Sequence, residues 1–105
     1  MTDLEICKRI AEIEDVQHQV EMEGTPNCYI YSEELNEEFN PLTDKALCFD
    51  LMVKYDVVFL DDEAYAGCES GAGPESGGYY CEGYGVSTSS PQRAICLAII
   101  EAHEG

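Results

Sequence analysis

The sequence has few positively charged residues. Only five of its 105 residues are lysine or arginine, against 22 aspartates and glutamates, and the formal net charge at pH 7 is −17. A polyanion of this density repels nucleic acids and anionic membranes and attracts basic surfaces. We therefore expect neither direct nucleic-acid binding nor membrane binding. Acidity that serves only solubility is the alternative.

Long apolar runs and paired-cysteine motifs are also missing. No run is long enough to span a membrane, and the polar opening MTDLEICKRI lacks the apolar core of a signal peptide. The six cysteines include no CxxC pair, and neither His18 nor His103 has ligand spacing to a cysteine. These absences favour a cytoplasmic protein with free thiols and no metal or other cofactor. A disulfide framework is the less favoured alternative.

Apolar residues make up 45% of the chain and recur with helical or strand periodicity, which predicts a single domain over residues 1–105. The first predicted element is a helix from Asp3 to about Glu14, capped by Thr2 or Asp3, with a stripe of isoleucines on one face. Strands at 16–23 and 28–31 follow and should form a hairpin, and an acidic loop or helical turn at 32–39 leads to a central helix. Strands at 57–60, 64–68 and 79–84 come next. The last element is a helix that is opened by Ser90 and Pro91 and is apolar nearly all round. His18 should lie on the core face or at an edge. This order predicts an α+β fold, with about three helices packed on a mostly antiparallel sheet of four to five strands (an α/β sandwich).

The central helix and the strand that follows it should form the core. Asn40 is a suitable N-cap, and Pro41 suits the first helical position. One broad apolar face then follows, and the run Val57-Val58-Phe59-Leu60 is typical of a strand covered on both faces. The strand ends in the acids Asp61, Asp62 and Glu63.

No catalytic constellation stands out, so we expect that the protein is not an enzyme. The glycine-rich residues 70–78 are predicted to be the flexible tip of a hairpin, and they match neither a phosphate-binding loop nor a complete dinucleotide fingerprint. Neither histidine has a neighbouring nucleophile signal. Asp61, Asp62 and Glu63 could hold Mg²⁺ together with another carboxylate, but only Asp61 and Glu63 could share one ion, because consecutive strand residues point to opposite faces.

Three segments resemble the phage NinX-like family of small phage and prophage proteins. They are DLEICKRIAE near the start, NPLTDKALCFDLMVKY in the middle and SPQRAICLAII near the end, and together they cover about a third of the chain. The resemblance implies a phage or prophage origin and an α/β-sandwich domain. It implies no catalytic residue, because the family has no assigned activity.

These observations lead to a hypothesis of charge-based binding. The protein would bind a basic, nucleic-acid-binding host protein by imitating the phosphate backbone, and so inhibit a host defence factor of the CRISPR or restriction type. One alternative is a small-molecule or nucleotide binder with the glycine-rich tip as a lid. Another is a non-enzymatic accessory protein, with a homodimer that hides Tyr79 and Tyr80. The acids expected to bind the partner are Glu21, Glu23, Glu33, Glu34, Glu37, Glu38, Asp61, Asp62 and Glu63.

Overall fold

A computed structural model describes residues 2–60, 63–65, 79–80 and 90–104, and they form an α+β fold. The elements are α1 (Asp3–Ile13), β1 (His18–Glu21), β2 (Tyr29–Ser32), β3 (Glu37–Glu38), α2 (Lys45–Lys54), β4 (Val58–Leu60), β5 (Glu63–Tyr65), β6 (Tyr79–Tyr80) and α3 (Pro91–Glu104). The predicted fold class is confirmed. The glycine-rich residues 70–78, predicted to be a flexible tip, lie outside the described residues.

The described strands form two antiparallel sheets of three strands, β1-β2-β3 and β4-β5-β6, where the sequence predicted one sheet of four to five. The predicted pairings of β1 with β2 and of β5 with β6 are both present. The additional strand is β3, within a segment predicted to be a loop or helical turn. Asn36 adopts a left-handed conformation, with φ of 57°, and turns the chain back along β2.

The first helix begins and ends as predicted. Thr2 is the N-cap, because its side-chain oxygen accepts a hydrogen bond from the backbone N–H of Glu5 at 3.2 Å. The helix ends at Ile13, and Asp15 then turns the chain with a positive φ of 55°. Ile6 and Ile10 are fully buried, so the predicted isoleucine stripe faces the core.

The predicted start of the central helix was wrong by four residues. The N-cap is Asp44, whose carboxylate accepts a hydrogen bond from the N–H of Leu47 at 3.1 Å. Asn40 instead forms a turn, in which its side-chain oxygen accepts from Leu42 at 3.1 Å and from the thiol of Cys7 at 3.3 Å. The side chain of Asn40 thus contacts Cys7 of α1 and does not cap α2. The sequence near Asn40 does not show this contact, which joins residues far apart in the chain.

The last helix is the centre of the core. Helices α1 and α2 and strands β5 and β6 all pack against α3. Its buried residues are Ala94, Ile95, Cys96, Ala98, Ile99 and Ile100, which agrees with the prediction of a helix that is apolar nearly all round. The hydroxyl of Ser90 accepts a hydrogen bond from Arg93 N–H at 3.4 Å, as expected for the predicted cap.

Strand β1 is shorter than predicted. It ends at Glu21, because Met22 adopts a left-handed φ of 54° that a strand does not allow. His18 is half-buried and pairs with the buried Ser32, so it lies on the core side of the sheet as expected. Within the described residues, no helix is long and apolar enough to cross a membrane.

The cap of α2 provides a test of the fold. The variant Asp44→Ala should lower the free energy of unfolding by about 1 kcal/mol, because the first turn of α2 loses its side-chain acceptor. Urea unfolding followed by circular dichroism measures this change. The control Asp50→Ala, at an exposed position within α2, should change stability by less than about 0.5 kcal/mol. Equal losses in the two variants would contradict the cap.

Candidate functional site

The outer face of the β1-β2-β3 sheet brings predicted acids together. Glu21 pairs with Tyr29, and Tyr31 lies between Gln19 and Glu38 in the next row. Side chains alternate between the two faces of a strand. Because Ile30 is buried on the core side, Tyr29 and Tyr31 are on the outer side with their paired glutamates.

Glu33, the first residue of the β2–β3 turn, lies next to this face. Its backbone N–H donates to the carbonyl of Gln17 at 2.9 Å, which continues the register of β1 and β2 beyond Ser32. Ideal strand spacing then separates the Cα atoms of Glu33 and Glu38 by about 8 Å and those of Glu21 and Glu38 by about 12 Å. We call the surface formed by Gln19, Glu21, Tyr29, Tyr31, Glu33 and Glu38 the acidic sheet face.

No positive charge compensates this face. The five lysines and arginines all lie on helices, and the chain from residue 10 to residue 44 contains ten acids and no base. Among the described residues, ion pairs join Arg9 to Glu12, Lys54 to Glu14 and Arg93 to Asp3. Within the part of the chain that the structure describes, no acid of the acidic sheet face is in an ion pair, and Glu38 accepts a hydrogen bond from the side-chain amide of Asn40 at 3.1 Å.

The other predicted acids are divided between this sheet and the rest of the molecule. Glu23 follows β1, Glu34 lies in the β2–β3 turn with its carboxylate 3.4 Å from the N–H of Gln17, and Glu37 is exposed on β3. Six of the nine predicted acids therefore surround one sheet. Glu63 belongs to β5 in the other sheet. Asp61 and Asp62 lie outside the described residues.

The apolar and aromatic members of this surface were not predicted from the sequence. Tyr29 and Tyr31 are half-buried on the outer face, and the hydroxyl of Tyr31 donates to the side-chain oxygen of Asn36. Met22 and Leu35 are each 53% exposed, after β1 and in the β2–β3 turn respectively. Because side chains alternate between the faces of a strand, the apolar Ile30 could have predicted that the two tyrosines beside it lie on the outer face. No local signal marks Met22 or Leu35 as exposed.

A small cavity lies between α1 and the β1-β2-β3 sheet, and two members of the acidic sheet face, Tyr29 and Glu38, also line it. Its volume is about 80 Å³, and it is lined by Asp3, Leu4, Cys7, Cys28, Tyr29, Ile30, Glu38, Phe39 and Asn40. Small-molecule sites typically measure about 300–1,000 Å³. A nucleotide is too large for this cavity, and its phosphates would be repelled by two lining carboxylates. The cavity therefore gives no support to the nucleotide-binding alternative.

The thiol of Cys7 in this cavity is held in its neutral form. Burial raises the pKa of Cys7 to about 11, and the negative charges of Asp3 and Glu38 add to this effect. Cys7 donates its proton to the side-chain oxygen of Asn40. A neutral, buried thiol is a structural hydrogen-bond donor rather than a nucleophile.

No protein-family model, curated protein or solved structure matches this chain. The resemblance to the NinX-like family therefore stays a prediction. Among the described residues, no group of three histidine, cysteine, aspartate or glutamate side chains is placed to hold a metal ion.

The raised pKa of Cys7 predicts a loss of stability at high pH. The folded state holds the proton until about pH 11, whereas the unfolded thiol releases it near pH 9. The stabilising effect is thus complete below pH 9 and disappears as the pH rises through 11, a loss on the order of 2 kcal/mol. Urea unfolding at several pH values should show a shallower decline for Cys7→Ala than for the wild type. The control Cys28→Ala, at a half-buried position, should keep the wild-type decline, and equal slopes in all three proteins would contradict this role of Cys7.

Proposed function

We propose that this protein binds a basic, nucleic-acid-binding host protein through the acidic sheet face and occupies the groove that normally holds nucleic acid. The observation that supports this proposal is the set of glutamates on one sheet surface with no base among the residues from 10 to 44. A CRISPR effector or a restriction enzyme is the class of host defence factor that fits, because each holds nucleic acid in a basic groove. The protein would act in the host cytoplasm.

Such binding resembles protein–DNA association, with this protein supplying the negative charges of the DNA and the partner supplying the positive charges. Basic grooves are built to bind regularly spaced phosphates, and much of the affinity is electrostatic and falls steeply with salt. The carboxylates of Glu21, Glu33 and Glu38 stand on a hydrogen-bonded sheet, which fixes their backbone positions before binding. This preorganisation lowers the entropy lost on association.

Two features of the surface favour a protein partner. The rings of Tyr29 and Tyr31 supply contact area at low conformational cost, and exposed Met22 and Leu35 offer apolar contacts near the carboxylates. A small cationic ligand would use the charges but leave these apolar groups in water. The combination of acids, tyrosines and exposed apolar residues therefore supports a protein surface as the ligand.

Affinity capture from a nuclease-treated bacterial host lysate tests the proposal. The retained protein should be basic, should elute when double-stranded DNA is added, and should be released as ionic strength rises. If the captured protein stays bound above about 0.5 M salt and ignores DNA, phosphate mimicry is the wrong account.

Charge-neutral variants locate the binding surface. The triple variant Glu21→Gln, Glu33→Gln and Glu38→Gln should weaken binding to the captured protein by about 10- to 100-fold, because three charge contacts of about 0.5–1 kcal/mol each are lost. Isothermal titration calorimetry at fixed salt measures the effect.

A matched control separates the acidic sheet face from net charge. The triple variant Glu5→Gln, Glu12→Gln and Asp50→Asn changes the net charge by the same amount, but at exposed helical positions. It should weaken binding less than about 3-fold. Equal weakening by the two triple variants would show that binding follows overall charge and does not use the acidic sheet face.

A further inference from the structure

The outward side of α2 is apolar and uncovered. Cys48 and Leu51 face the core, with 2% and 1% of their surface exposed. On other sides of the same helix, Phe49 is 63% exposed and Val53 is 65% exposed. A phenylalanine and a valine four residues apart are neighbours on a helix surface.

Oppositely charged residues lie at the two ends of this apolar pair. Lys45 begins α2, four residues before Phe49, and Asp56 follows the helix, three residues after Val53. Lys45 lies one helical turn before Phe49 on the same side of α2. Helix α2 ends at Lys54, and Asp56 adopts a left-handed φ of 52° just beyond its C-terminal end. The two charges therefore lie at opposite ends of the helix that carries Phe49 and Val53. Both are exposed, and neither is in an ion pair with another described residue. We call Lys45, Phe49, Val53 and Asp56 the α2 stripe.

We propose that the α2 stripe is the interface of a homodimer in which the α2 helices of two copies pack antiparallel across a two-fold axis. The order of the stripe is positive, apolar, apolar, negative. When a second copy of the stripe runs antiparallel to the first, Phe49 of each copy lies against Val53 of the other. It also brings Lys45 of each copy to Asp56 of the other, so two symmetric ion pairs flank an apolar centre.

The charge distribution favours a second copy on this surface. Two chains of charge −17 repel each other, and the repulsion is weakest where acids are fewest. Helix α2 contains two of the five bases of the chain and only one acid, Asp50. The stripe is therefore a place where two copies can approach, and its pattern complements itself.

The size of the stripe limits the affinity of the dimer. Three helical turns extend about 16 Å, which is less than the usual extent of a permanent interface. We infer a reversible dimer that dissociates on dilution. Analytical ultracentrifugation from about 10 μM to about 1 mM should show the mass rising from 11.6 kDa towards twice that value.

Two single charge variants provide a specific test of the antiparallel arrangement. Lys45→Asp places two acids together at each end of the dimer, and Asp56→Lys places two bases together. Each variant alone should be monomeric over the whole concentration range. An equimolar mixture should form a heterodimer, because every aspartate of one variant then meets a lysine of the other. Circular dichroism checks that each variant is folded.

Variants of the apolar pair test the same interface independently of the left-handed position of Asp56. The double variant Phe49→Ser and Val53→Ser should be folded and monomeric. The control Leu35→Ser, at another exposed apolar residue in the β2–β3 turn, should dimerise as the wild type does. The proposal is overturned by a wild type that stays monomeric at the highest concentration, by a dimer that survives the double serine variant, or by a charge-variant mixture that stays monomeric.

Discussion

The burial of α3 is the constraint on which the rest of the structure depends. This helix contacts α1 and α2 as well as β5 and β6 of the second sheet, so it is in contact with most of the described core. Its surface is apolar nearly all round, and Ala94 and Ala98 allow neighbouring elements to approach closely. Each neighbour buries only one side on α3. Their outer sides are left to carry charge and to form contacts with other molecules.

Two of the five bases of the chain join helices of this core. Lys54 of α2 pairs with Glu14 at the end of α1, at 2.9 Å, and Arg93 of α3 pairs with Asp3 at the start of α1. Both ends of α1 are thus tied to other helices by opposite charge. The first sheet, which has no base, is left fully acidic. The same distribution accounts for a stable helical core and for the proposed binding surface.

Sequence patterns predicted the elements that local chemistry determines. The caps at Thr2 and Ser90, the isoleucine stripe of α1 and the alternation of β1 needed no tertiary information. Asn40 was misassigned because its side chain bonds Cys7, 33 residues away. The placement of the acids was beyond sequence reasoning for a similar reason. The register of β1, β2 and β3 sets which glutamates share a face, and a turn at Asn36 sets that register.

The position of α3 after all its packing partners has a consequence for synthesis. A ribosome releases α1, α2 and the strands before the helix that covers them, so their apolar sides have no partner during most of elongation. The β1-β2-β3 meander joins residues close in the chain and can form early. In the same interval, the high negative charge keeps incomplete chains apart. Acidity here would protect the nascent polypeptide from aggregation until its last helix is made.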